Sequence, residues 1–539
     1  MPFTKWWHSL AISFSVVTWG LAQPLFDIAA QLVAHQGGTA RAVLLLVLIW
    51  QILPTAALFA IERIIISKSK NPAILRVYRI ALFSVATIIF LRAFQIQYVP
   101  QVAMLSSALK VLILILPLFV VPLIVTYLLR PISMFFAVLS VASLVATGIF
   151  ANQAGLFNTA WNSLETNAIP QTTTSDNARP PVFIIVFDAF GGQVLLKDGG
   201  IDPERFPKLA SLGKDSAVFT NATSNYGLTS LSLAEMMTGQ KNAFPQPAAD
   251  DEPVIADSTS VFSVLTRSGY TVNSYDDLYV DCPPESVICR NQRALAREHP
   301  FLLSASAPAI LFGSLFPHSL QMRLFSVPLI GHLSSRMVWN EFLSDINAPT
   351  AFNQVFYVHL LLPHMPYEFD PQGRWHLPPP AGDPARMASA YEQQVMFVDT
   401  LVGELTEKLK AEGLYEQSVI IITGDHGPRN LGALLSHPPT EMNPIIPNIA
   451  LVIHGPGVNP QVSDADYQHI DFKPTLLDIL GLASRNSSKG VSAFARQRPT
   501  RQKLFWYNWL FVYPGRWYAY DAVSRKWLPA PEAITNGSR

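Results

Sequence analysis

Apolar residues fill the first 155 positions in five long runs, and beyond residue 180 they break into short runs separated by helical patterns. The long runs lie near 9–34, 41–66, 74–96, 105–129 and 131–152, and each reaches or approaches the ~20 residues that cover a bilayer core. They predict an N-terminal five-helix transmembrane bundle. The first run exceeds the roughly 7 to 15 apolar residues of a signal-peptide core and no A-x-A-like cleavage site follows it, so it reads as retained. The short runs VFIIVF (182–187), YTVNSY (270–275), VFYVHL (355–360), SVIIIT (418–423) and NIALVI (448–453) predict buried strands. Between them, residues 387–413 place Val395, Val398, Val402, Leu405 and Leu409 at helical spacing, with Gly413 as a stop signal. The alternation predicts an α/β domain with a mainly parallel sheet sandwiched by helices.

Four segments follow. Residues 1–155 form the membrane bundle, and 156–180, rich in Thr, Asn and Pro, form a linker. Residues 181–500 form the α/β domain, and 501–539 an aromatic C-terminal tail. The run FLLSASAPAILFGSLFP (301–317) is uncharged and short for a span; it reads as a buried helix or as one lying on the membrane. The tail around LFWYNWLFVYPGRWYAYDAVSRKW (504–527) reads as a hairpin that covers the sheet, the alternative being contact with lipid headgroups.

Half of the residues are hydrophobic and only 14% are charged, too apolar for an ordinary soluble protein. Formal net charge is zero, with no basic stripe, which argues against a nucleic-acid partner. Around the spans, Lys5, Arg63, Lys68, Lys70, Arg76, Arg79 and Arg130 outnumber Arg41, Arg92 and Lys110, which predicts a cytoplasmic N-terminus. An odd number of spans then delivers the α/β domain to the extracytoplasmic side. The two cysteines, Cys282 and Cys289, flank a Pro-Pro turn and read as a small-loop disulfide, the alternative being two unlinked thiols.

Ligands of open parallel sheets collect beyond the carboxyl ends of the strands. Asp188 ends VFIIVF, Asp425 and His426 follow SVIIIT, His454 ends NIALVI, and His359 and His364 lie on and after VFYVHL, so all are expected on one edge. Asp425 and His426 stand in a glycine-flanked turn, where adjacent side chains can aim at one ion. In SNYGLTSLSLAEMMTG (224–239), Thr229 is expected at a helix N-terminus, where free N–H groups favour an alkoxide or anion, or where it simply caps the helix. Arg374 and Arg429 are candidate phosphate clamps or plain surface charges.

VFDAFGG, TSLSLAEMMTG, HLLLPHMPY, TGDHG and HIDFKPTLLDILGL, in this order, resemble the alkaline phosphatase and sulfatase superfamily. With five preceding spans the chain is most similar to its membrane-bound branch, which includes lipoteichoic acid synthases and lipid A phosphoethanolamine transferases. The resemblance implies an alkaline-phosphatase-like fold and one divalent metal, Mn or Zn, held by Asp188, Thr229, Asp425 and His426, with Thr229 also the nucleophile. The two transferase types usually carry Glu where Asp188 stands. The resemblance further implies that His364 and His437 act on the substrate side. His359 is a candidate substrate contact; His359, His454 and His469 are candidates for a second metal, which is not favoured over structural roles. Sulfatases mature a Cys or Ser in a C/S-x-P-x-R frame. Here that frame reads Thr229, Ser230, Leu231, Ser232, Leu233, which argues against a formylglycine enzyme and for a threonine alkoxide attacking phosphorus.

The expected function is transfer of a phospho-alcohol group, of phosphoethanolamine or phosphoglycerol type, from a lipid donor to an envelope glycan or lipid, at a bacterial inner membrane, through a phosphothreonine. The alternatives are a hydrolase of phosphate or sulfate esters on the same scaffold, and a catalytically inactive envelope assembly or binding protein.

Overall fold

The structure, a computed structural model, describes residues 5–36, 40–69, 71–98, 107–154, 178–240, 260–277, 282–291, 294, 332–376, 379, 383–429, 441–482, 489–498, 501–507 and 516–531. Two compact units are present, the first containing residues 1–165 and the second residues 166–292 and 331–539.

In the first unit helices run over 6–36 and 40–68, then Pro72–Tyr98, Ser107–Tyr127 and Leu129–Gln153. Four stretches among the described residues are long and apolar enough to cross a membrane: Trp6–Asp27, Arg41–Lys68, Pro72–Phe90 and Leu129–Gln153. In the remaining helix the apolar stretch Leu116–Tyr127 is shorter. Large apolar side chains such as Phe119, Phe135, Val138 and Leu144 face outward, while polar groups face inward, the distribution a lipid environment favours. Gln51 Nε2 donates to Thr18 Oγ1 at 2.9 Å and to Thr147 Oγ1 at 2.7 Å, tying three helices together. Arg79 pairs with Glu62 and is largely buried, so this cation, one of those that predict the orientation, lies inside the unit.

The second unit is built on an eight-stranded sheet. Its strands are β1 (Val182–Asp188), β2 (Ala217–Phe219), β3 (Thr271–Asp276), β4 (Ser286–Asn291), β5 (Gln354–Pro363), β6 (Val419–Gly424), β7 (Leu451–His454) and β8 (Gln461–Ser463), in spatial order β8-β2-β7-β6-β1-β5-β3-β4. β6, β1, β5, β3 and β4 run parallel, whereas β7 is antiparallel to both β6 and β2. All seven residues of β1 are buried, as expected for a central strand covered on both faces. Val182, Ile184 and Val186 pack into one core with Leu233, Met236, Phe262, Ile421 and Leu476, so helices on that face share a single apolar layer.

The helix predicted over 387–413 spans Pro384–Ala411 and is capped by Asp383, which accepts from Arg386 N at 3.1 Å. Gly413 follows with φ 69°, the left-handed conformation that ends a helix. Cys282 and Cys289 form the disulfide.

Three expectations are corrected. NIALVI is a strand only over Leu451–His454, and its antiparallel direction puts His454 opposite Ile420, near the start of β6 and away from the carboxyl edge. The tail is a three-stranded antiparallel sheet rather than a hairpin: β9 (Leu504–Tyr507), β10 (Arg516–Asp521) and β11 (Lys526–Pro529). Short strands such as β2 and β8 lack an apolar run long enough to announce them. His437, the 301–317 run and most of the 156–180 linker lie outside the described residues.

Candidate active site

β1 and β6 are adjacent and parallel, so Asp188 and Asp425 emerge side by side at the carboxyl edge. The turn after β1 is held in an unusual conformation: Ala189 has φ 61°, its N–H donates to Asp425 Oδ1 at 2.9 Å, and its carbonyl accepts from Tyr391 Oη at 2.9 Å. A non-glycine residue in this region costs about 1–3 kcal/mol, and such strain clusters at functional sites. The turn after β6 requires its glycines. A Cβ on Gly424 would lie 2.2 Å from Phe190 O, and one on Gly427 only 2.0 Å from Ile445 O. These close approaches turn the backbone so that Asp425 and His426 both face the edge.

The third contribution is the helix Thr229–Thr238, which starts at Thr229 as expected and ends on Gly239 at φ 67°. Thr229 Oγ1 lies 3.5 Å from Asp188 Oδ2 and 3.4 Å from His426 Nε2. His426 Nε2 lies 3.4 Å from Asp425 Oδ2 and 3.7 Å from Asp188 Oδ1. The structure thus brings Asp188, Thr229, Asp425 and His426 together, all buried.

His426 Nδ1 is 2.9 Å from the Gly427 carbonyl. A carbonyl only accepts, so Nδ1 carries the hydrogen and the Nε2 lone pair faces the carboxylates. Burial brings its pKa down to about 4, keeping the imidazole neutral. Burial, then the neighbouring Asp425, pushes the Asp188 carboxyl well up; Asp425 is held below its usual value by His426 and His359 despite burial. Two buried carboxylates this close concentrate negative charge that a bound divalent cation would relieve. Asp188 Oδ1 and Asp425 Oδ2 are buried and accept no hydrogen bond from the described residues. Hard oxygens plus a neutral imidazole fit a divalent ion such as Mn or Zn.

The remaining candidates separate. His359, on β5, puts a ring nitrogen within 4.8 Å of ligand oxygens of Asp188 and Asp425. Burial lowers its pKa, but Asp276, Asp425 and Asp188 outweigh that and push it up to about 9. His364 is half-buried in the turn after β5, its Nδ1 donating to Met365 O at 2.7 Å. Arg429 lies at the site: Nη1 donates to Gly227 O at 2.9 Å, and its charge opposes the rise that burial imposes on the Tyr367 and Tyr507 hydroxyls. Arg374 is engaged elsewhere, paired with Asp370 at 2.7 Å with its side chain 76% exposed.

His454 stacks on Tyr415 and lies 2.8 Å from Asp215 O and 3.2 Å from Tyr415 O, a structural setting remote from the site. His469 Nε2 donates to Gly424 O at 2.9 Å, and Nδ1 meets Ser232 Oγ at 2.8 Å. Ser232 also donates to Asp425 O at 2.5 Å, so this pair stitches the nucleophile helix to the β6 turn. Neither histidine joins a second cation cluster among the described residues. Sequence reasoning missed Asp276, which ends β3 beside His359, and Asp277, which follows it; the signal was an acidic pair closing an expected strand.

The sheet order and the grouping of Asp188, Thr229, Asp425 and His426 agree with what the resemblance to the alkaline phosphatase and sulfatase superfamily implies. The Sulfatase family model matches residues 180–482, over half of the chain, and the chain belongs to the sulfatase family. It is 29% identical over 153 residues to lipoteichoic acid synthase 1 of Bacillus subtilis (strain 168), covering 27% of this chain and 24% of that one. It is 23% identical over 376 residues to arylsulfatase K of Danio rerio, covering 58% and 67%. The chain thus spans about a quarter of the lipoteichoic acid synthase it matches. Among solved structures, the phosphonate monoester hydrolase of Agrobacterium radiobacter aligns at 17% identity with a TM-score of 0.44, over 61% of this chain and 80% of that one. The protein is an enzyme of this superfamily carrying helices fit to span a membrane.

Proposed function

We propose that the protein is a membrane-anchored phosphotransferase that moves a phospho-alcohol group, of phosphoethanolamine or phosphoglycerol type, from a phospholipid to an envelope glycan or lipid. The convergence of Thr229 Oγ1 with Asp188, Asp425 and His426 carries this reading. A divalent ion held by these four residues would lower the pKa of the hydroxyl and screen charge on the phosphoryl oxygens.

Thr229 Oγ1 attacks phosphorus, its proton leaving along the contact to Asp188 Oδ2. A P–Oγ1 bond forms as the bond to the lipid alcohol breaks, and the leaving oxygen takes a proton from His364. The acceptor hydroxyl then gives its proton to His364 as it attacks phosphorus, the P–Oγ1 bond breaks, and Thr229 recovers its proton from Asp188. Arg429, held by Gly227 O beside the nucleophile loop, binds phosphoryl oxygens. The absence of Cys, Pro and Arg from the frame Thr229–Leu233 supports phosphoryl rather than formylglycine chemistry. The helices would keep the site near a membrane-held donor at a bacterial inner membrane, with a cytoplasmic N-terminus and the α/β unit extracytoplasmic.

A hydrolase would differ only in using water for the second step. Purified protein incubated with headgroup-labelled phospholipid and extracted envelope glycan distinguishes the two. Label on the glycan or on a glycolipid is the expected result; label released solely as a free phospho-compound contradicts transfer.

A further inference from the structure

We infer that His359 is a fifth ligand of the ion gripped by Asp188 and Asp425, and that Asp276 is the positioning residue that aims it. The inference rests on the metal-dependent reading above and extends the four-residue set that the family resemblance implies.

The geometry is specific. Asp188, His359 and Asp425 are all buried and present ligand atoms within 4.8 Å of one another, a spacing one ion spans. Behind the imidazole, Nδ1 lies 3.1 Å from Asp276 Oδ2. A carboxylate only accepts, so Nδ1–H donates to it, and Nε2 on the far side of the ring is the atom left for an ion, which would displace the proton that the surrounding carboxylates hold there. Asp276 and His359 are direct register partners on the parallel strands β3 and β5, which fixes this contact by backbone pairing. The next residue fastens the strand ends further: Asp277 Oδ1 accepts from Leu361 N at 2.8 Å, and Asp277 Oδ2 accepts a short hydrogen bond from Ser335. Carboxylate, histidine and metal in line form the arrangement that fixes the ring and raises its basicity toward an ion.

Chemically the addition changes the donor set to two imidazoles, two carboxylates and a hydroxyl. A second nitrogen moves selectivity toward Zn and away from Mg and Ca, which favour oxygen-only shells.

The full-length protein in detergent, stripped of metal and loaded with Mn(II), tests this by pulsed electron paramagnetic resonance and by binding titration. The wild type is expected to take one equivalent and show nitrogen couplings from two imidazoles. His426→Ala is expected to retain one coupling, supplied by His359, and His359→Ala the other. Asp276→Asn is expected to weaken Mn(II) binding roughly 10- to 100-fold and to perturb one coupling, with Asp276→Glu restoring part of the affinity. A purely structural Asp276 would leave the couplings of the loaded protein unchanged. A wild-type spectrum with a single nitrogen coupling that vanishes in His426→Ala overturns the inference while leaving the function standing. A wild type that binds neither Mn(II) nor Zn(II) overturns the metal-dependent function itself.

Discussion

Thr229 Oγ1 and His426 Nε2 lie 3.4 Å apart although 197 positions separate them in the chain. The approach is possible because the helix that begins at Thr229 is tied to the β6 turn through Ser232 and His469. If the hydroxyl forms the covalent bond to phosphorus, Thr229→Ala should lower turnover about ten-thousandfold or more while leaving metal binding measurable. Thr229→Ser, which keeps a hydroxyl, should retain a measurable fraction. Equal activity of Ala and wild type in the phospholipid assay would contradict the role.

Metal removal should cost stability as well as activity, because Asp188 Oδ1 and Asp425 Oδ2 are buried and accept no hydrogen bond from the described residues. Thermal unfolding of chelated protein should shift upward on adding Mn(II) or Zn(II), by the equivalent of about 2.7 kcal/mol at a hundredfold excess over Kd. An unfolding curve indifferent to both ions would contradict the site.

The nucleophile loop is also strapped by the C-terminal sheet. Gly227 N donates to Trp506 O at 3.0 Å, Trp506 N donates to Asn225 O at 2.8 Å, and a Cβ on Gly227 would meet the Tyr507 ring at 2.3 Å. Gly227→Ala should therefore displace the loop and reduce kcat without unfolding the protein, and Tyr507→Ala added to it should restore part of the rate. Circular dichroism and steady-state kinetics of the two variants check this.

The two candidate arginines should behave oppositely. Arg429→Ala removes a charge beside the nucleophile loop and should lower kcat/KM roughly 10- to 100-fold, the range of a lost charge-assisted hydrogen bond. Arg374→Ala, whose guanidinium is exposed and paired with Asp370, should leave kinetics unchanged. Kinetics on a soluble phosphodiester read both.

His454→Ala leaves the Asp215 and Tyr415 carbonyls without their imidazole partner, so it should destabilise the fold by about 1–3 kcal/mol. Metal affinity should stay at the wild-type level, since His454 lies at the other end of the sheet.

Much of this was legible beforehand because buried parallel strands are continuous apolar runs: β1, β3, β5 and β6 lie within two residues of their expected starts, and Asp188, Asp425 and His426 follow from where two of them end. Strand direction leaves no such trace. Leu451–His454 has the composition of its parallel neighbours, and only its pairing with β6 shows that it runs the other way, which is why His454 was expected at the site. The Asp276–His359 contact joins residues 83 positions apart that meet through strand order alone, which no local pattern reports. Arg429 and Arg374 are equally plain as charges in sequence; what separates them is that one finds the Gly227 carbonyl and the other its neighbour Asp370.

The central claim is that Thr229 becomes covalently phosphorylated during turnover, and the direct measurement is mass spectrometry of the Thr229 peptide after brief exposure to donor phospholipid and acid quench. The account predicts a peptide heavier by the transferred phospho-alcohol group, with the modification on Thr229 and absent after chelation. An unmodified Thr229 peptide from protein shown to be turning over, or a modification on a different residue, would contradict it.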